Sequence, residues 1–253
     1  MRLRKELDTL VGAVHFFTRL SVPGRWSHDG AILQRAIVWY PAVGVIVGGG
    51  AALVYALTLC LWPKTLATLA ALVFAILATG ALHEDGWTDM VGGFAEGGGD
   101  RDAVLNSMRQ SQLGGHGAVA LTVLLVLRFA LLVDTDSAHV APLLIAAHAF
   151  SRLCAAGVLV TLDYARPDGK AKPFGNRIAR GDVVLLGVGG LVPMVFLPPS
   201  PALLAGVLAV TMTFWLGWRF QRRLGGYTGD CIGAVQQVAE VAVFAGVAAA
   251  TLL

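Results

Sequence analysis

Four ionisable residues stand together in the stretch His83-Glu84-Asp85-Gly86-Trp87-Thr88-Asp89. Asp85 and Asp89 are four apart, so on a helix their carboxylates share one face. Like charges at that spacing disfavour a helix slightly unless a cation lies between them. Hard oxygen ligands of this kind suit Mg²⁺, which is held by one or two carboxylates and by substrate phosphates. Glu84 and His83 are near enough to act as a further metal ligand or a general base. A solvated helix end with ordinary acids has the same spacing, so the pattern alone does not decide between the two.

Three other groups have chemical potential. The loop Gly92-Gly93-Phe94-Ala95-Glu96-Gly97-Gly98-Gly99-Asp100-Arg101-Asp102 is rich in glycine, which lets a backbone approach a phosphate closely. Asp102 is placed to cap a helix over Ala103–Gln112, and Arg101, Arg109, Ser111 and His116 can line the same pocket. The second group, Gly225-Gly226-Tyr227-Thr228-Gly229-Asp230-Cys231, feeds a helix whose first N–H groups can meet an anion. Gly226, Thr228 and Gly229 are its candidate contacts, with Asp230 suited to a metal or a ribose hydroxyl. It lacks the Gly-Lys-Ser/Thr ending of a Walker A loop. The third group lies inside apolar runs: Arg128, His148, Arg152, Gln236, Gln237 and Glu240. Ionisable groups there are costly and mark function by default. Arg152 is an anchor for a phosphate, Gln237 and Glu240 share a helix face with Gln236, and Arg128 and His148 read as structural partners.

These residues need apolar helices to hold them. Of 253 residues, 56% are hydrophobic and only 14% charged, against about a quarter charged in soluble domains. The reading is an all-α polytopic membrane protein forming one domain over 1–253. Cys60, Cys154 and Cys231 have neither zinc-site nor disulfide spacing. Spans are expected at Ile37–Leu61, Thr65–Leu82, Gly117–Val133, His139–Leu162, Val183–Leu197, Ala202–Trp218 and Gly233–Leu253. That makes about seven transmembrane helices, or six if the short, proline-bearing 183–197 does not cross. The stripe Leu7, Leu10, Val11, Val14, Phe17 predicts an amphipathic helix in the membrane interface, within an N-terminal segment 1–36. No cleavable targeting segment is expected there.

Lysine and arginine alternate between the connections. All 19 except Lys64, Arg128 and Arg152 fall before span one or in the loops after spans two, four and six. The positive-inside rule makes that side cytoplasmic. The residues with chemical potential at 83–116 and 219–232 form cytoplasmic loops on the same side. Nothing suggests nucleic-acid binding, and polar groups crowd one side rather than the midplane, which argues against a transporter.

Read together, the blocks resemble the cobalamin (5′-phosphate) synthase family, also called adenosylcobinamide-GDP ribazoletransferase. The likeness runs nearly end to end: FFTRLSVP at 16–23, YPAVGVIVGG at 40–49, HEDGWTD at 83–89, GGGDRD at 97–102 and SMRQSQLGGHG at 107–117. Ser151-Arg152, YARPDG at 164–169 and GGYTGDCIGAVQQVAE at 225–240 follow. The resemblance implies that the ribose 3′-hydroxyl of α-ribazole, or of its 5′-phosphate, attacks the cobinamide-bearing phosphate of adenosylcobinamide-GDP. GMP leaves and adenosylcobalamin, or its 5′-phosphate, forms with Mg²⁺ as cofactor. It implies roles for His83, Glu84, Asp85 and Asp89 in catalysis, the last three as metal ligands. Arg19 joins the substrate contacts named above, and the bilayer, a second copy or other corrinoid-assembly enzymes are the expected partners.

The chain departs from that family pattern at Gly92, where a further Asp follows the position of Asp89, and at Gln110 and Gln112. The departures leave the number of metal ions open, and with it a catalytically impaired assembly scaffold. CDP-alcohol phosphotransferases also use membrane aspartates and Mg²⁺, but their motif orders Asp-x-x-Asp-Gly, whereas this chain has Asp-Gly-x-x-Asp.

Overall fold

The structure, a computed structural model, describes residues 2–21, 34–169, 172 and 179–250. Arg25, Lys170 and Arg177 lie outside these, as does the last expected span beyond Ala250. The described elements are helices at Arg2–Phe17 (α1), Tyr40–Leu59 (α2), Lys64–Thr79 (α3), Leu82–Glu96 (α4) and Arg101–Gln110 (α5). Gly115–Asp134 (α6), Ser137–Thr161 (α7), Arg180–Leu191 (α8), Pro199–Leu224 (α9) and Gly229–Ala250 (α10) complete them. A 3₁₀ turn, Val192–Phe196, extends α8.

α7 and α10 are the buried centre of the bundle. α2 lies along α7 because Gly44 and Gly48 remove the side chains between them. A Cβ on Gly44 would fall 2.3 Å from the His148 carbonyl oxygen, and one on Gly48 2.7 Å from that of Leu144. Small residues permit this close packing. Outward, Leu53, Leu57, Val123, Phe196, Leu203 and Phe214 are exposed, while Arg128, Arg152 and Glu240 are buried. This inversion of the soluble pattern makes the chain a polytopic membrane protein.

Among the described residues, five helical stretches are long and apolar enough to cross by themselves: 34–59, α6, α7, α9 and α10. The expected span Thr65–Leu82 is instead a corner. α3 stops at Thr79 because Gly80 and Ala81 turn left-handed, with φ of 64° and 58°. Gly80 N–H donates to Leu77 O and Ala81 N–H to Ile76 O, which closes the helix end. α4 then departs at 83°. The expected span Val183–Leu197 is a short apolar helix over 181–196.

Contacts between connections show that this short helix nonetheless joins opposite ends. Lys64 Nζ donates to the Thr135 carbonyl at one end. At the other, Arg101 donates to the Leu224 and Ala165 carbonyls, both at 2.8 Å, and Arg223 to that of Gly98. Arg35, ahead of α2, pairs with Asp182 at 3.0 Å, so α8 starts at this second end. α9, about 39 Å long at 1.5 Å per residue, finishes there as well. Residues 181–196 therefore lead back towards the first end, where α9 begins.

Candidate functional site

At the second end, a cavity of about 520 Å³ opens between α1, α4, α10 and the segment 164–169. The corner at Gly80-Ala81 sets α4 at 83° to α3, and His83, Asp85 and Gly86 of its first turns lie on the cavity wall. Gly86 meets Gly233 of α10 there. A Cβ on Gly86 would stand 3.0 Å from the Asp230 carbonyl oxygen, and one on Gly233 3.1 Å from Gly86 Cα. This backbone contact brings Asp85 and Asp89 towards Asp230.

The acids are differently held. Asp85 is exposed. Asp89, one turn on, is buried and accepts from Ser111 Oγ at 2.7 Å. Asp230 Oδ2 accepts from Arg166 at 2.9 Å and from Thr228 Oγ at 3.2 Å. Asp85 and Asp230 both repel the Asp89 carboxylate, and Arg166 offsets them. Three acids against one arginine leave a negative excess that suits a divalent cation. Among the described residues no cluster of three or more His, Cys, Asp or Glu forms a protein cage. Mg²⁺ fits this donor set, because it keeps part of its shell for water and substrate phosphate.

The glycine-rich turn is built as a support. Gly225 and Gly226 have φ of 70° and 157°, and a Cβ on Gly226 would collide with the Asp163 carbonyl. Tyr227 N–H donates to Asp163 O, and Ala165 N–H to Tyr227 O. Thr228 is buried and caps α10, its hydroxyl accepting from Cys231 N–H at 3.3 Å. Gly229 and Asp230 line the cavity, so the positive end of α10 faces it.

His83 also lines the cavity, with Nε2 2.8 Å from the Tyr40 hydroxyl. Glu84, between His83 and Asp85, points away. Its Oε1 accepts from Arg128 at 2.9 Å, and Oε2 is buried without a partner. Arg128 also donates to Glu240 at 2.6 Å and Gln237 at 3.1 Å. Gln236 donates to Glu240 and to Ser151, and His148 Nδ1 lies 2.9 Å from Glu240. Arg152 is buried too, donating to His148 O at 2.8 Å and standing 5.7 Å from the centre of the Tyr40 ring. Arg152, Gln237 and Glu240 thus sit beneath the cavity rather than in its wall.

Several other expected contacts stand apart. Arg101 clamps two carbonyls, Arg109 pairs with Asp168, and His116 is exposed on the first turn of α6. Arg19 lies over Gly80 at the corner. The residues 83–116, expected as a loop, are α4 and α5 joined by a short turn. Asp100, not Asp102, caps α5, accepting from Asp102 N–H and Ala103 N–H. Sequence reasoning missed Arg166 as a site residue, although YARPDG contains it, and missed Tyr40, the first residue of YPAVGV.

The fold and site define a polytopic membrane protein with an acidic, anion-competent cavity at one end of its bundle. The chain belongs to the cobalamin-5-phosphate synthase family, whose model matches residues 9–248. A protein of Ralstonia pickettii described as an adenosylcobinamide-GDP ribazoletransferase is 38% identical over 250 residues, 98% of this chain and 97% of that one. One from Ralstonia nicotianae with the same description is 39% identical over 247 residues, 95% of each. Another, from Shewanella amazonensis, is 35% identical over 247 residues, again 95% of each. No solved structure matches the chain.

Proposed function

We propose that the chain joins adenosylcobinamide-GDP to α-ribazole or its 5′-phosphate, releasing GMP, in the assembly of the cobamide nucleotide loop. The observation that carries this reading is the convergence of Asp85, Asp230 and Arg166 on one cavity, with Asp89 buried one turn behind Asp85, in a chain of this family. Displacement at a pyrophosphate needs charge neutralisation and in-line placement more than covalent help. Mg²⁺ held by Asp85 and Asp89 supplies that neutralisation when bound.

The remaining roles fall to the chain's own groups. Arg166 and the first turn of α10 bind phosphate oxygens. The ribose 3′-oxygen forms a bond to the cobinamide-side phosphorus as the bond from phosphorus to the GMP oxygen breaks. His83 takes the hydroxyl proton, its ring held by the Tyr40 hydroxyl. We place this site on the cytoplasmic face of a bacterial inner membrane, because arginine and lysine concentrate at that end. Other corrinoid-assembly enzymes or a second copy are the partners we propose there.

The test uses purified protein in lipid nanodiscs with GDP-cobinamide and α-ribazole phosphate. Product forms with Mg²⁺ and not with EDTA, and Asp85→Asn abolishes turnover while the protein keeps its melting temperature. A fully active Asp85→Asn protein would sink the site.

A further inference from the structure

Glu84 is flanked by two cavity residues, His83 and Asp85, yet is itself absent from the cavity wall. Both of its carboxylate oxygens are enclosed: Oε1 by Arg128, Oε2 by the surrounding bundle. Successive residues on a helix are about 100° apart. Drawing Glu84 towards α6 and α10 therefore fixes the rotation of α4 about its own axis. α4 needs such a fixing, since it follows two left-handed residues rather than a continuous helix.

The fixing point is anchored on two other helices. Arg128 of α6 donates from Nη1 to Glu84 and from Nη2 to Glu240 of α10. Glu240 is held in turn by Gln236 and His148. Two buried arginines, Arg128 and Arg152, balance the two glutamates, so the cluster needs no further cation.

We propose that Glu84–Arg128–Glu240 is a buried strut that sets the rotation of α4, and that Glu84 is a positioning residue rather than a base or a metal ligand. The inference rests on the proposed site, since what the strut positions is His83 and Asp85. A misplacement of about 1 Å at such a site costs on the order of 10²-fold in rate.

The test is a double-mutant cycle on the full chain in nanodiscs, with kcat, KM and thermal melting measured for each variant. Glu84→Gln and Arg128→Gln each leave a net charge in the cluster, and each lowers kcat by roughly 10²-fold. The pair together restores neutrality, since Arg152 and Glu240 still balance. It recovers the melting temperature and brings kcat to within about tenfold of the parent, as neutral replacement of a buried ion pair allows. A double variant that melts like the parent but turns over no faster than Glu84→Gln would show that the carboxylate itself does chemistry.

Arg128→Lys covers the case in which the double variant does not fold. It keeps the charge but loses the two-pronged grip, so kcat falls while both KM values stay within about threefold. An unchanged kcat in Arg128→Lys would overturn the strut. Activity retained in Asp85→Asn would instead overturn the site, which keeps the two failures distinct.

Discussion

The Tyr40 hydroxyl and His83 Nε2 are 2.8 Å apart, linking the first turn of α2 to the first turn of α4 at the cavity wall. Phe17 of α1 stacks on the Tyr40 ring, the ring centres 4.1 Å apart. The imidazole is thus held from outside its own helix. Tyr40→Phe keeps the stacking and removes the hydroxyl. It is expected to slow turnover by about tenfold, in line with the roughly 1–3 kcal/mol cost of orphaning a buried polar group. Steady-state kinetics with a melting curve decide the matter, and an unaltered kcat would free His83 from this partner.

Gly86 and Gly233 touch through their backbones, so a side chain on either must push its neighbour back. Gly233→Ala places a methyl 3.1 Å from Gly86 Cα and the His83 carbonyl. Overpacking of this kind costs about 1–3 kcal/mol, and parting α4 from α10 separates Asp85 from Asp230. The expected result is a lower melting temperature and at least a tenfold loss of turnover. Full activity would mean that the two helices need not meet there.

Gly92 behaves oppositely, because a Cβ there meets nothing within 4 Å. Gly92→Asp is expected to fold normally, with helix propensity changed by only about 0.3 kcal/mol. The new acid stands three residues beyond Asp89 and adds to the excess of negative charge. Turnover measured across a Mg²⁺ titration should then reach half-maximum at a lower concentration. A curve superimposable on the parent's would place position 92 out of reach of the metal.

Arg166 pairs with Asp230 at the cavity edge, where the arginine side chain is 13% exposed. Arg166→Ala removes a phosphate contact and leaves Asp230 unopposed. KM for GDP-cobinamide should rise by about tenfold or more, and the effect on α-ribazole phosphate should be smaller, as loss of one charged hydrogen bond of roughly 1.5–3 kcal/mol implies. Equal effects on both substrates would move Arg166 from the nucleotide side to a general structural role.

The spans that hydropathy identifies best are those made of one helix. Hydropathy runs smoothly through Gly80, so the 83° corner between α3 and α4 is invisible to it, although a glycine after an apolar run is the signal for a left-handed helix end. The cap of α5 lies two residues before the position the sequence suggests, because Asp100 and Asp102 are equally good caps and only the chain path chooses between them. The buried cluster was partly legible: Gln236, Gln237 and Glu240 share a face by spacing, and Arg128 announced itself as an arginine in an apolar run. Which acid it would take was not legible, since Glu84 is 44 residues away on another helix. The same limit hid Arg166, whose partner lies 64 residues further on.

Two left-handed residues separate α3 from α4, so the two helices are not one rigid rod. A span that must tilt to match a thicker or thinner bilayer can do so at α3 by turning about Gly80-Ala81. Asp85 and Asp89 then keep their places against α10 while the lipid around the chain changes.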